Sequence, residues 1–129
     1  MTNRKNSKKI IFLLLSLFGV FNSCQKPVTK KFKESEKTAV FTTKFVLLEN
    51  KEITSVYHYE EDNTWQFYSS DKFTNYMDVA MLVGLGQIIK KDNTILEIAD
   101  LPEGYFAFRK AKGEKWVIEK IKDEKQTKF

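Results

Sequence analysis

Thiols, imidazoles and prolines are scarce in this chain: its 129 residues include one cysteine, one histidine and two prolines. A lone thiol excludes an internal disulfide, so the folded part must hold together by packing. The same scarcity excludes Cys/His zinc sites and leaves no free Cys–His pair for nucleophilic catalysis. No serine stands in a Gly-x-Ser-x-Gly elbow, and no repeat is visible. Long apolar runs are missing too. The best candidate, Ile10 to Leu15 continued by Leu17, Phe18, Val20 and Phe21, offers about a dozen residues against the roughly 20 a helix needs to cross a bilayer.

That short run has a setting. Arg4, Lys5, Lys8 and Lys9 precede it, Phe21-Asn22-Ser23 follow, and then comes the only cysteine, Cys24. A basic head, a short apolar middle and a small residue before the cut describe a secretory signal. A cysteine at the cut describes a bacterial lipoprotein, whose thiol is alkylated with diacylglycerol before cleavage leaves it as the new N-terminus. Two or three acyl chains anchor stably where one is marginal. An ordinary secretory cut near Ser23 and an uncleaved anchor are the other readings. The expected organisation is a signal peptide over 1–23, a tether over 24–38 beginning at lipidated Cys24, a domain over 39–118 and a charged tail over 119–129. The expected location is the cell envelope, lipid-anchored and facing the periplasm.

Charge of one sign is also lacking once the signal is set aside. The whole chain carries a formal +5. The first 23 residues hold four basic side chains and no acidic one, which leaves 18 basic and 17 acidic behind them. Between Ala39 and Ile118 nine basic residues face twelve acidic ones. Nucleic-acid binding needs clustered Lys and Arg against phosphates, and this mildly acidic domain excludes it.

The patterning predicts an α+β fold on an antiparallel sheet. Val40 to Leu48, Ile53 to Tyr59 and Thr64 to Ser69 are rich in β-branched and aromatic residues and separated by polar turns, a three-strand meander. Trp65 and Phe67 then share one face, Gln66 and Tyr68 the other. From Asn75 to Lys91 the apolar spacing turns helical (Met81, Leu82, Leu85, Ile88, Ile89), with Asn75 as N-cap and Lys90-Lys91 at the C-terminal end. A short helix over Thr94 to Ala99 stops before Pro102, Leu101 to Gly104 reads as a type I turn, and Tyr105 to Lys110 with Lys115 to Glu119 forms a closing hairpin around Lys112-Gly113. Phe106 and Phe108 project to one face of that hairpin, mostly into the core, and Tyr105, Ala107 and Arg109 project to the other.

Three candidate sites arise. Gly84-Leu85-Gly86 opens a dinucleotide fingerprint, but Ile89 occupies the third glycine position. Close helix packing is the better account of these glycines. His58, between Tyr57 and Tyr59, has no second histidine or thiol to complete a site and reads as a strand histidine on a partly solvated face. Glu60-Glu61-Asp62 lack the spaced oxygens and glycine of a calcium loop and read as a solvated turn or as an acidic patch for a basic partner. Some of Tyr57, Tyr59, Tyr68 and Tyr105 must remain near the surface of a domain of about 80 residues, and tyrosine beside acid suits a protein interface. Glu60, Glu61 and Asp62 with Tyr57, Tyr59 and Tyr68 are the expected partner-binding set. No catalytic residue, metal or cofactor is expected.

Trp65-Gln66-Phe67-Tyr68-Ser69, Gly84-Leu85-Gly86-Gln87-Ile88-Ile89, and Ile95 to Tyr105 through Leu101-Pro102-Glu103-Gly104, with Ala107, Arg109 and Trp116, resemble a small bacterial immunity-protein domain family associated with polymorphic toxin systems. The resemblance spans about Ala39 to Val117. It implies a non-catalytic module that binds and neutralises a toxin domain, here placed behind a lipoprotein signal. The alternative expectation is an envelope accessory lipoprotein that binds another envelope component.

Overall fold

Strand β1 (Ala39–Thr43) is where the observed fold parts from the expected meander. In the computed structural model, which describes residues 30–122, the chain is α+β. Its sheet, however, is mixed rather than antiparallel throughout. β1 is followed by a one-turn helix α1 (Lys44–Leu48), then β2 (Ser55–His58) and β3 (Trp65–Tyr68). Helix α2 (Tyr76–Val79), β4 (Ala80–Gly84), helix α3 (Leu85–Lys91), a 3-10 helix (Asn93–Ile98), β5 (Tyr105–Phe108) and β6 (Val117–Lys120) complete the order. The six strands lie as β4-β1-β3-β2-β5-β6, with β1 parallel to β3 and every other pair antiparallel.

Two corrections have one cause. The strand expected over Val40 to Leu48 stops at Thr43, where pairing with β4 ends at Thr43–Ala80. Past that point a strand has no partner, and the backbone satisfies itself as a helical turn closed by Glu49 N–H on the Lys44 carbonyl. α1 and the loop behind it carry the chain across, so β2 lands beyond β3 instead of beside β1. The long helix expected over Asn75 to Lys91 is likewise split. Asn75 does cap, its side chain accepting from Met77 N–H at 3.1 Å, and Lys90 and Lys91 do stand in the last turn of α3. Between them Ala80–Gly84 is extended along β1. An edge left bare on β1 and a glycine in mid-pattern at Gly84, which costs about 1 kcal/mol inside a helix, outweigh the helical spacing.

The core lies on one face of the sheet. Val40, Val56, Trp65, Phe67 and Ala107 point inward against Val46 of α1, Leu85 and Ile88 of α3, and Ile95 and Ile98 of the 3-10 helix. Each buried Val, Leu, Ile or Phe among them contributes about 1.5–3 kcal/mol. The chain joins this core before Ala39. Phe32, in the stretch expected to be a tether, sets its ring edge-on to Trp65 at 4.9 Å. At the other end β6 extends to Lys120, and Ile121 N–H reaches the Gly104 carbonyl at 2.8 Å.

The turn before β5 is displaced by one residue from its expected register. Tyr105 N–H bonds the Pro102 carbonyl at 3.2 Å, and Gly104 has φ +84°. The glycine therefore stands third, as a type II turn requires. Gly113, φ +87°, turns the closing hairpin as expected.

Candidate interaction surface

The sheet has a second face, and β-strand alternation loads it with rings. Cross-strand register places Leu82, Phe41, Gln66, Tyr57, Phe106 and Glu119 in one transverse row. Tyr57 stacks on Phe106 at 5.2 Å and on Tyr59 at 5.7 Å, and Phe106 continues to Phe108 at 5.7 Å. Tyr68 meets Tyr57 edge-on at 5.8 Å and Tyr76 at 6.0 Å. All three tyrosines singled out from the sequence thus share one aromatic face. Phe106 and Phe108 belong to it as well, and this corrects their expected place in the core: Ala107 and Arg109 are the inward residues of that strand. Leu82 is 61% exposed and Phe108 37%, so among the described residues the helices that cover the inner face leave this one half-exposed.

Tyr68 anchors the corner of the face where the β3–β4 connection crosses. Its hydroxyl donates to Gln66 Oε1. Burial pushes its phenol above the ordinary value, helped by hydrogen bonding with Tyr76.

Glu60, Glu61 and Asp62 are exposed at the β2–β3 turn, next along the chain from Tyr59. Asp62 differs from its neighbours because its carboxylate is engaged. Thr64 donates to Oδ1 from its hydroxyl at 2.7 Å and its backbone N–H at 3.2 Å. Those bonds, the hydroxyl first, hold Asp62 below the usual carboxylate range. Glu60 and Glu61 border an open cleft shared with Tyr59, Gly104, Lys120 and Lys122, so cations at and just past the end of β6 flank the acidic tip.

The other candidates have structural roles. His58 is buried, not partly solvated, because β2 alternation turns it inward beside Val56. Its ring stacks on Trp65 at 3.9 Å, with Nδ1 2.7 Å from the Leu101 carbonyl and Nε2 2.7 Å from Asn63 Oδ1. Both nitrogens are occupied in joining two turns. The glycine pair offers no phosphate cradle. Leu85 N–H is taken by the Thr38 carbonyl at 2.8 Å and Gly86 N–H by the Glu36 carbonyl at 2.9 Å. A Cβ on Gly84 would stand 3.1 Å from that Glu36 oxygen. The close packing expected of these glycines is real, but the neighbour is the segment before β1 rather than the sheet.

One internal polar group escaped sequence reasoning. Arg109 is buried and donates through Nε to the Ile53 carbonyl at 3.0 Å, through Nη1 to Thr94 Oγ1 at 2.7 Å and through Nη2 to Asp92 Oδ2 at 2.7 Å. Trp116 covers it, the guanidinium carbon 4.1 Å from the ring centroid. The only sequence signal was an arginine in phase with Ala107.

Cys24 lies outside the described residues. Among those residues no helix is long and apolar enough to cross a membrane. In comparisons with known proteins, no family model, no curated protein and no solved structure matches this chain.

Proposed function

We propose that this chain is a membrane-anchored lipoprotein whose domain is a non-catalytic protein-binding module. In this reading lipidated Cys24 holds the domain at the envelope, facing the periplasm, and the domain grips a protein partner through its open sheet face. The observation that carries the proposal is the half-exposed aromatic row of Tyr59, Tyr57, Phe106 and Phe108 beside the acidic tip. Rigid aromatics give large contact area at low entropic cost and are the residues that dominate interface energetics. Glu60 and Glu61 add a negative rim that would steer a basic surface into place. The resemblance to immunity domains makes that partner a toxin domain, neutralised by occlusion.

The second reading, an accessory lipoprotein binding another envelope component, is favoured by the signal and cysteine at the front of the chain. They would place the domain where such components are.

The test is affinity capture by the full chain in detergent micelles from the envelope and secreted proteins of its own cell. Phe106→Lys and the pair Glu60→Lys/Glu61→Lys serve as variants, with Leu48→Lys as an off-face control. A saturable partner lost with the first two and kept with the third supports the module. A toxin domain as that partner supports immunity, and a transport or wall-assembly component supports the accessory role. A partner indifferent to all three variants refutes the proposed face, and no partner from a folded chain refutes the binding role.

A further inference from the structure

Among the described residues the sheet ends at β4 on one side and β6 on the other, and such edges need protection because unpaired N–H and C=O groups invite another strand. The two edges here differ. β6 is Val-Ile-Glu-Lys, with Lys115 before it and Lys122 after it, and inserting a strange strand beside it means burying or opposing those charges. β4 is Ala-Met-Leu-Val-Gly, with no charge, no proline and an unbroken five-residue register against β1. The uncharged stretch runs on from Val79 to Ile89, the longest such run among the described residues. Exposed apolar side chains gather at the same edge: Leu82 at 61%, Met77 at 79% in α2 immediately before the strand, and Phe73 at 42% against Tyr76.

We infer that the β4 edge is a self-association site, at which two copies of the chain pair their β4 strands antiparallel about a two-fold axis at Leu82. The occupant is a second copy because this edge is complementary to itself. An antiparallel pair centred on Leu82 sets Leu82 against Leu82, Met81 against Val83 and Ala80 against Gly84, with apolar contacts at every position and no like charges opposed. Each strand then supplies the donors and acceptors the other lacks, which is the reciprocal contact a two-fold interface requires. Leu82 and Phe41 lie on the aromatic face, so pairing joins the two open faces into one twelve-stranded surface. The inference stands whatever partner that surface takes.

The test uses the full chain in detergent micelles with Cys24→Ser, so that an introduced thiol is the only one. Leu82→Cys should form an intermolecular disulfide on mild oxidation, since residues directly opposite in an antiparallel pair have Cα atoms about 4.5–5.5 Å apart, within disulfide reach. Val117→Cys, at the other edge, should yield at least tenfold less. Sedimentation of the chain without an introduced thiol should show a concentration-dependent dimer, lost with Leu82→Lys. Leu82→Thr, which keeps strand propensity, serves if the lysine variant melts early. A monomer up to about 1 mM, the weak end of specific association, overturns the inference. So does a dimer that survives the Leu82 variants or crosslinks equally at Val117.

Discussion

Asp92 and Arg109, seventeen residues apart, meet through a 2.7 Å contact between Oδ2 and Nη2 with both side chains withdrawn from solvent. Asp92 also caps the 3-10 helix, accepting on Oδ1 from Thr94 N–H at 3.0 Å. One carboxylate therefore ties the helical layer to the end of β5. Lys112 is more distant, 3.9 Å from Oδ1 and half exposed, and adds little.

Removing one partner leaves the other buried and uncompensated. Asp92→Ala is expected to cost about 3–5 kcal/mol, read from the urea midpoint by tryptophan emission, since Trp116 stacks on the guanidinium. The double variant Asp92→Leu/Arg109→Met should recover a large part of that loss. Equal destabilisation by single and double variants would show that packing, not charge, is what matters at this position.

Tyr68 makes the fold sensitive to alkali. Burial raises its phenol, so the folded state holds this proton after the unfolded chain, near the ordinary value of about 10, has begun to release it. The stability this group contributes is complete below that value and falls as pH climbs beyond it. Chemical denaturation between pH 8 and about 11 should show the decline, and Tyr68→Phe should flatten it. An unchanged slope in Tyr68→Phe would assign the decline to another group.

Gly84 is held by contact rather than by backbone angle. Its φ of −72° suits any residue, but a methyl group would press on the Glu36 carbonyl. Gly84→Ala should destabilise by about 1–3 kcal/mol, the cost of overpacking. At Gly113 the space is open and φ is positive, so Gly113→Asn, which tolerates that region, should be close to neutral where Gly113→Ala is not. Thermal melts of the three variants separate the two causes.

Cys24 carries the anchoring proposal alone. Cys24→Ala should move the protein from the detergent phase to the aqueous phase in a cloud-point partition and abolish incorporation of labelled palmitate. Retention in the detergent phase without the thiol would favour an uncleaved anchor.

Much of the site was legible because strand alternation is a local rule. Trp65 and Phe67 had to oppose Gln66 and Tyr68, and Tyr57, Tyr59 and Tyr68 had to share a face once β2 paired with β3 in register. The same rule separated Phe106 from Ala107 but could not say which of them faced inward. That depended on which side α3 and the 3-10 helix took. His58 was misplaced for the same reason.

The sequence by itself determined the α+β class, the Asn75 cap, the turn at Gly113 and the near-neutral charge behind the basic, apolar opening stretch. Each of these follows from a few neighbouring residues. Tertiary structure decided the rest: the parallel pairing of β1 with β3, the strand at Ala80–Gly84, the buried Arg109–Asp92 pair and the half-exposed aromatic face. In each case the deciding energy lies between segments far apart in the chain. A bare edge on β1 draws in a stretch with helical spacing, because unpaired backbone costs more than local propensity returns.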